Sequence, residues 1–243
     1  MNRHLALVGP TASGKSALAL ELARALGDVE IVSVDSMQVY RGMDIGTAKP
    51  TAAEQAEVPH HLLDLAEPSE DFSVKRFQQA ATEALAAIEA RGHRALLVGG
   101  TGLYLNAVVD GLNVPGSWPA LREELEGHAA TPAGVGALYR QLATADPTAA
   151  ARIEPANARR IVRALEVTLG SGRRFSSFGP GVGAFPPSRF RMAGVWLPRG
   201  VVAARIEARY TDQVRHGFVD EVAALAQRPL SRTARQALGY REL

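Results

Sequence analysis

The segment Gly9-Pro10-Thr11-Ala12-Ser13-Gly14-Lys15-Ser16 matches the pattern G-x-x-x-x-G-K-[ST] of phosphate-binding loops at every fixed position. The apolar residues 4–9 before it predict a buried strand, and residues 15–26 after it predict a helix that ends at Gly27. In this context the backbone N–H groups of the loop and the N-terminus of the helix bind phosphate. We therefore expect a bound di- or triphosphate, with Lys15 at its terminal phosphate and Mg²⁺ held by the Ser16 hydroxyl.

Strand-like and helix-like segments alternate along the chain after this loop. Strands are predicted at 29–34, 94–99 and 189–197, and helices at 73–91, with Ser73 as N-cap, at 199–227 and from 231 to 243. Residues 35–59 contain two glycines and two prolines and are predicted to be rich in loops. Such alternation is typical of βαβ units, so the predicted fold class is α/β, a P-loop NTPase-like parallel sheet.

A region of different composition interrupts this alternation. Residues 119–170 are rich in Ala, Leu and Arg with helical periodicity, and residues 170–188 contain the Gly, Pro and Ser that favour a mobile loop. The simplest organisation is a P-loop α/β core, residues 1–114 and 189–243, with a helical insertion at residues 115–188.

The composition, 47% hydrophobic and 21% charged, is that of an ordinary globular protein. The chain has no Cys, which excludes disulfides, Cys nucleophiles and thiolate metal sites and fits a reducing compartment. It has no signal-peptide pattern and no apolar run of about 18 residues. We therefore expect a cytoplasmic protein without a membrane segment, and we expect a monomer.

The charges are unevenly distributed. Residues 1–120 contain 9 Lys and Arg against 14 Asp and Glu, whereas residues 121–243 contain 18 Arg, no Lys and 11 acidic residues. Guanidinium groups bind phosphate well, so the second half predicts a polyanionic partner. A bias towards Arg codons is the alternative explanation, since the whole chain has only three Lys.

The acid that an ATPase or GTPase places at a strand end is missing after residues 94–99, where the chain continues as Gly100-Thr101-Gly102. The one acid at a predicted strand end is Asp35, after residues 29–34. A carboxylate there orients Mg²⁺ or acts as a general base beside the phosphates. A structural cap of the turn is the alternative role for Asp35.

Five motifs in order resemble the tRNA dimethylallyltransferase family, also called tRNA isopentenyltransferases. They are GPTASGKS at 9–16, DSMQVYRGMDIGTAKP at 35–50, PHHLLD at 59–64, LLVGGTGLYLNAV at 96–108 and RRIVRALEV at 159–167, and the similarity continues to ALGYREL at the end. The resemblance implies transfer of a dimethylallyl group from dimethylallyl diphosphate to N6 of the adenine 3′ of the anticodon of tRNA. It also implies that the P-loop, Gly9 to Ser16, binds a diphosphate leaving group.

The resemblance further assigns roles to individual residues. It implies that Asp35 takes the proton of N6, that Thr101 lies near the same adenine, and that Lys15 stabilises the leaving diphosphate. Arginines 205 and 209, an i, i+4 pair, correspond to family arginines that face the diphosphate. The residues that it places against the tRNA anticodon stem-loop are Asp35, Ser36, Met37, Gln38, Thr101, Arg122, Arg159, Arg160, Ile161, Val162 and Arg163.

Purely structural roles remain open as alternatives for several of these residues. The Gln38 amide either reads the adenine edge or makes a loop hydrogen bond. Arg159 and Arg163 share a helix face, which is either a phosphate contact or a solvated charged surface. The adjacent His60 and His61 point apart, so we expect structural roles for them and not a zinc site.

Three other functions are compatible with parts of the sequence. A P-loop small-molecule kinase would bind ATP, and an isopentenyltransferase acting on a free adenine nucleotide would need no RNA-binding insertion. A non-catalytic RNA-binding module is the third. Family members usually continue past the ALGYREL segment with a basic stretch that touches tRNA, so we expect weaker tRNA binding from the present chain than from an extended one.

Overall fold

The computed structural model describes residues 4–179 and 187–243. Its elements up to Val109 are β1 His4–Val8, α1 Lys15–Leu26, β2 Val29–Val34, α2 Ala52–Glu57, β3 His60–His61, α3 Val74–Ala90, β4 Arg94–Gly99 and α4 Gly102–Val109. The helices α5 Pro119–His128, α6 Pro132–Ala145, α7 Pro147–Ala150 and α8 Ala158–Ser171 follow, with a 3₁₀ turn at Phe175–Phe178. The last elements are β5 Phe190–Gly194, α9 Arg199–Arg215, α10 Phe218–Ala226 and a 3₁₀ turn at Ala234–Gln236.

The five strands form one parallel sheet in the order β3-β2-β4-β1-β5. In the register of this sheet, Gly99 at the end of β4 pairs with Val8 at the end of β1 and with Val34 at the end of β2. The carboxyl ends of the three central strands are therefore level. The loops that follow them begin at one edge of the sheet, which is where open parallel sheets bind ligands. This arrangement confirms the predicted fold class.

Helices cover both faces of the sheet. Alternate strand residues such as Val32 and Leu97 pack with the α3 residues Phe77 and Leu85, whereas their neighbours pack in a second cluster with Leu20 of α1. Burial on both faces explains why the strands read as continuous apolar runs. Helix α3 begins as predicted, with the Ser73 hydroxyl accepting a hydrogen bond from the Arg76 N–H.

The described residues divide into two compact units, 4–111 with 187–243 and 112–179. The first boundary lies after Gly111, close to the boundary predicted after residue 114. The second unit consists of α5 to α8 and the 3₁₀ turn at Phe175–Phe178, around a core that includes Leu142, Ile161 and Leu165. The predicted loop at 170–188 begins within α8, and its residues 180–186 lie outside the described residues.

The C-terminal part differs from the prediction. The single helix predicted for residues 199–227 is two helices, α9 and α10, separated at Gly217, which has a φ of 95°. The helix predicted from residue 231 is only the 3₁₀ turn at Ala234–Gln236. Tertiary contacts compete with helix formation here, because the Thr233 hydroxyl accepts a 2.7 Å hydrogen bond from the Tyr40 hydroxyl.

Two short elements lie in or beside the region predicted to be rich in loops. Helix α2 begins with a capping box, in which the Thr51 hydroxyl and the Glu54 side chain each bind the other residue's backbone N–H. The Thr-x-x-Glu spacing is the signal that identifies this helix in the sequence. Strand β3 is only His60 and His61, paired with β2, and is too short to show periodicity.

Candidate active site

The P-loop connects the end of β1 to the start of α1. Gly14 has a φ of 90°, the left-handed region that glycine adopts without strain, and it immediately precedes the first residue of the helix. The Lys15 ammonium donates a 3.2 Å hydrogen bond to the Pro10 carbonyl across the loop. The loop therefore closes on itself with its lysine at the carboxyl edge of the sheet. This is the strand–loop–helix context that the motif requires.

Cationic and anionic groups surround Lys15. Burial lowers the pKa of Lys15, and Arg209 on α9 lowers it further, whereas the Asp35 carboxylate acts in the opposite direction. Arg205, one turn before Arg209, donates a 3.3 Å hydrogen bond to the Ser13 carbonyl. Helix α9 thus places both predicted arginines at the P-loop, and the surplus of positive charge favours an anionic ligand there.

Asp35 follows β2 at the same edge of the sheet. Its Oδ1 accepts hydrogen bonds from the backbone N–H of Met37 at 2.8 Å and of Gln38 at 3.3 Å, so the predicted turn-capping contact is present. No described residue donates a hydrogen bond to Oδ2. One oxygen thus holds the carboxylate in place, and the other remains available for a substrate proton or a cation.

Thr101 joins Asp35 through the neighbouring residue. Its hydroxyl accepts a 3.2 Å hydrogen bond from the Ser36 N–H and lies 3.4 Å from the Ser36 hydroxyl. The preceding Gly100 lies beside the P-loop, because a Cβ at that position would be 3.5 Å from the Gly9 carbonyl oxygen and 3.9 Å from Lys15 Nζ. The three loops that carry the P-loop, Asp35 and Thr101 therefore meet.

The Gln38 side chain makes loop hydrogen bonds, which were the alternative to recognition of the adenine edge. Its Nε2 donates to the carbonyls of Thr47 at 3.0 Å and Ala48 at 3.1 Å, and its Oε1 accepts a 2.7 Å hydrogen bond from the Ser33 hydroxyl. Both amide protons are in use, so recognition of an adenine by Gln38 is limited to a remaining lone pair of Oε1.

The side-chain oxygen atoms at the P-loop fit a magnesium ion that is held jointly with substrate. The Ser16 side chain is exposed in the first turn of α1, and its hydroxyl has no hydrogen-bond partner among the described residues. Among residues 4–179 and 187–243, no group of three or more His, Asp or Glu side chains is arranged to hold a metal. Mg²⁺ usually takes only one or two protein groups together with substrate phosphates. The Ser16 hydroxyl and the open Asp35 oxygen are groups of that kind.

Two predicted tRNA arginines have structural partners within the helical unit. The Glu166 carboxylate, whose side chain is fully buried, accepts hydrogen bonds from Arg122 at 2.7 and 2.9 Å and from Arg163 at 2.9 Å. Burial acts to raise the pKa of Glu166, but hydrogen bonds from the Trp118 N–H and these arginines outweigh it, so the pKa is lowered. Arg122 and Arg163 therefore neutralise a buried acid, and their predicted contact with tRNA stays a prediction.

Two further predicted tRNA contacts are core residues. Ile161 and Val162 are 0% and 4% exposed and pack in the core of the helical unit, so their side chains stabilise the unit, and their assignment to tRNA binding stays a prediction. Arg159 and Arg160 lie at the start of the same helix and are exposed. Neither guanidinium forms a hydrogen bond or ion pair with any part of the chain that the structure describes. These two are the arginines of this helix whose side chains are exposed and without a partner among the described residues.

Some residues that shape the site were not identified from the sequence. The buried Lys49 ammonium donates 2.6 Å hydrogen bonds to Asp44, Asp64 and the Tyr40 carbonyl. Glu221 binds the backbone of residues 44–46 from α10. Lys49 lies within the motif at 35–50, which is its only signal in the sequence. Nothing in the helical pattern around Glu221 identifies its distant partner.

The two histidines of the motif at 59–64 have structural contacts. His60 Nδ1 lies 2.7 Å from the Val58 carbonyl oxygen, and His61 Nε2 lies 2.6 Å from Glu30.

Among the described helices, none has the length and the apolar composition that a membrane span needs.

Comparison with known proteins extends these observations. Residues 38–243 match the family model described as IPP transferase. The tRNA dimethylallyltransferase of Roseiflexus castenholzii is 50% identical, over 98% of this chain and 78% of that protein. The tRNA dimethylallyltransferase of Bifidobacterium animalis subsp. lactis is 47% identical, over 99% of this chain and 70% of that protein.

Solved structures agree with the sequence matches. The tRNA isopentenylpyrophosphate transferase of Bacillus halodurans is 43% identical with a TM-score of 0.67, over 100% of this chain and 76% of that one. A eukaryotic dimethylallyltransferase acting on tRNA has a TM-score of 0.76 at 24% identity, over 93% of this chain and 56% of that one, which shows a shared fold. The resemblance carried by the five motifs is thereby confirmed, and the chain belongs to the IPP transferase family.

Proposed function

We propose that this protein is a tRNA prenyltransferase that transfers a dimethylallyl group from dimethylallyl diphosphate to N6 of the adenine 3′ of the anticodon. The observation that carries the proposal is the meeting of the P-loop, Asp35 and Thr101 at one edge of the sheet. This edge combines an anion site with an acid whose second oxygen is open. Membership of the IPP transferase family, together with the tRNA dimethylallyltransferase relatives, supports the same activity.

The P-loop side of the site would bind the leaving group. Negative charge grows on the diphosphate as its bond to the allylic carbon breaks. Lys15, the loop N–H groups, Arg205 and Arg209 would stabilise that charge, which the proximity of both arginines to the P-loop supports. When bound by the Ser16 hydroxyl and substrate oxygens, Mg²⁺ would add further stabilisation of this charge. Burial lowers the pKa of Lys15, and an incoming diphosphate would compensate this poorly solvated charge, which favours ligand binding.

The Asp35 side would receive the adenine. The allylic carbon loses the diphosphate oxygen and gains N6, and N6 must lose one proton to give the neutral product. Asp35 is the proposed acceptor of that proton, since Oδ1 is fixed by two N–H groups and Oδ2 is open. Organisation of Mg²⁺ is the alternative role of Asp35. The Thr101 hydroxyl, bonded to Ser36, would lie beside the same base.

A base within an anticodon loop is stacked and must leave the stack to enter such a site, as in other enzymes that modify bases. The helical unit would hold the anticodon stem-loop through phosphate contacts. Arg159 and Arg160 are the proposed contacts, because both are exposed and without partners among the described residues.

The decisive experiment supplies dimethylallyl diphosphate and Mg²⁺ with tRNA, AMP or ATP in separate reactions. We expect prenylated adenine, detected by mass spectrometry of nucleosides, only with tRNA. Product with AMP or ATP alone would indicate transfer to a free nucleotide. Formation of ADP from ATP would indicate a kinase, and absence of prenylated adenine from the tRNA reaction would contradict the proposal.

A further inference from the structure

The loop at residues 44–46 is held by a carboxylate from the far end of the chain. Glu221 Oε2 accepts hydrogen bonds from the backbone N–H of Asp44 at 2.9 Å and of Ile45 at 2.8 Å. Its Oε1 accepts a 3.2 Å hydrogen bond from the N–H of Gly46. Three successive backbone donors thus converge on one side chain of α10. Hydrogen bonds to a charged acceptor are the strong ones in proteins, so this contact constrains the loop closely.

Two further side chains complete the contact, and with Glu221 we call them the C-terminal clamp. Gln213 Nε2 on α9 donates to the carbonyls of Ile45 at 2.5 Å and Gly46 at 3.2 Å, and the Tyr240 hydroxyl donates to Glu221 Oε1. Burial and Glu221 raise the pKa of Tyr240, so its hydroxyl keeps the proton that it donates. The clamp therefore binds both the N–H groups and the carbonyls of the loop.

The loop fits the clamp only because residue 46 is glycine. A Cβ on Gly46 would lie 2.2 Å from the ring of Phe218 and 2.4 Å from the ring of Tyr240. These two rings pack edge to face with centroids 5.0 Å apart. A side chain at position 46 would therefore displace one of these rings from its contact with the loop.

A chain of hydrogen bonds continues from this loop to Asp35. The carbonyls of Thr47 and Ala48, directly after the clamped residues, accept both protons of the Gln38 amide. Gln38 in turn donates its backbone N–H to Asp35 Oδ1 at 3.3 Å. The orientation of the open Asp35 oxygen thus depends on a turn whose side chain is tied to the clamped loop.

We propose that Glu221 is a positioning residue for the prenyl transfer: through the loop at 44–48 and Gln38, it sets the orientation of Asp35 relative to the P-loop. This inference rests on the proposed function. Glu221 lies outside every segment assigned above to diphosphate or tRNA, and its hydrogen bonds are to the loop backbone and to Tyr240. Its contribution is geometric, so its loss affects the rate of transfer more than the binding of diphosphate.

The test compares Glu221→Gln with Asp220→Asn, a matched control that removes a carboxylate from the neighbouring, exposed position of α10. The Gln side chain keeps the size of Glu but offers one acceptor oxygen, and its amide group opposes the loop donors. We expect kcat with tRNA to fall roughly 10- to 100-fold in Glu221→Gln, since small misplacements of reacting groups have effects of this size. KM for dimethylallyl diphosphate and binding of inorganic diphosphate, measured by calorimetry, should stay within about twofold of wild type. Asp220→Asn should retain wild-type kcat.

A milder variant covers the case in which Glu221→Gln fails to fold. Tyr240→Phe removes one donor to Glu221 and keeps the ring against Gly46, so we expect a smaller loss of kcat with the same split between kcat and KM. A lower melting temperature with wild-type kcat in both folded variants, or in Tyr240→Phe alone if Glu221→Gln does not fold, would overturn the inference and leave the clamp a purely stabilising contact. Absence of transfer by the wild-type protein would instead contradict the proposed function.

Discussion

At the scale of the residue, the surroundings of Lys15 favour an anionic ligand at the candidate site. Its ammonium is partly buried and lies near Arg209, and both effects lower its pKa, while Asp35 is the counter-charge that acts against them. Its one hydrogen bond to the described residues is to the Pro10 carbonyl. A diphosphate would replace this contact with a neutral carbonyl by one between opposite charges, so we expect Lys15 to contribute to diphosphate binding.

Replacement of Lys15 by Ala is expected to abolish measurable transfer while the fold is retained. The loss of one contact to a developing charge lowers rates by roughly 10²- to 10³-fold. The fold should survive, because Lys15 makes no ion pair with the rest of the described chain. Single-turnover rates and circular dichroism check this prediction. A folded Lys15→Ala protein with wild-type turnover would remove the P-loop from the mechanism.

Replacement of Asp35 by Asn separates its two proposed roles. Asn keeps an acceptor for the N–H groups of Met37 and Gln38 but does not take a proton at neutral pH. If Asp35 is the base, kcat should fall by roughly 10²- to 10⁴-fold with little change in KM for dimethylallyl diphosphate. If it organises Mg²⁺, that KM should rise and excess Mg²⁺ should restore part of the activity. A loss of kcat on acidification that persists in Asp35→Asn would assign the base role to another group.

Within the single helix α8, the arginines differ in their surroundings. Its apolar face, with Ile161 and Leu165, is buried, and Arg163 turns towards the buried Glu166. Its first turn presents Arg159 and Arg160 to solvent. Arg163 therefore stabilises the helical unit, whereas the guanidinium groups of Arg159 and Arg160 are available to a ligand.

The double change Arg159→Ala and Arg160→Ala is expected to weaken tRNA binding without a change in melting temperature. Each phosphate contact contributes roughly 0.7–0.9 to the slope of log affinity against log salt, so the slope should become shallower by about 1.5. Filter binding over a range of salt concentrations measures it. Arg163→Met is the contrasting variant. It should lower the stability of the helical unit by about 1–3 kcal/mol, because Glu166 loses a charged donor. An unchanged salt slope in the double variant would return Arg159 and Arg160 to the solvated surface.

At the scale of the molecule, the candidate site and a buried ionic cluster lie at opposite ends of the sheet strands. The P-loop, Asp35 and Thr101 lie at the carboxyl ends of the strands, whereas Glu30, near the amino end of β2, is almost fully buried in an ionic cluster. Arg91 binds Glu30 through two hydrogen bonds of 2.7 and 2.9 Å, and His61 and His93 lie 2.6 and 2.8 Å from the same carboxylate. Mainly through Arg91, these partners lower the pKa of Glu30 to about 2.

The Glu30 cluster predicts a loss of stability in acid. A carboxyl group whose pKa is depressed by folding contributes its full stability above its unfolded pKa, about 4.3, and loses it as the pH falls towards about 2. The contribution at neutral pH is on the order of 2–3 kcal/mol. Urea unfolding at several pH values should show this decline in the wild type. A Glu30→Gln variant should be less stable at pH 7 and less sensitive to acid between these values, and equal slopes in the two proteins would contradict the assignment.

The sequence by itself determined the local features of this protein. The P-loop, the Ser73 cap, the main strands and the position of Asp35 at a strand end each depend on residues within a few positions of one another, where steric and hydrogen-bonding preferences act directly. The tertiary structure alone decided which distant groups meet. It paired Arg122 with Glu166, buried Ile161 and Val162 in the core of the helical unit, and brought Glu221 to residues 44–46. A helical pattern specifies that a face is buried or exposed, but the partner of a charge depends on packing between segments far apart in the chain.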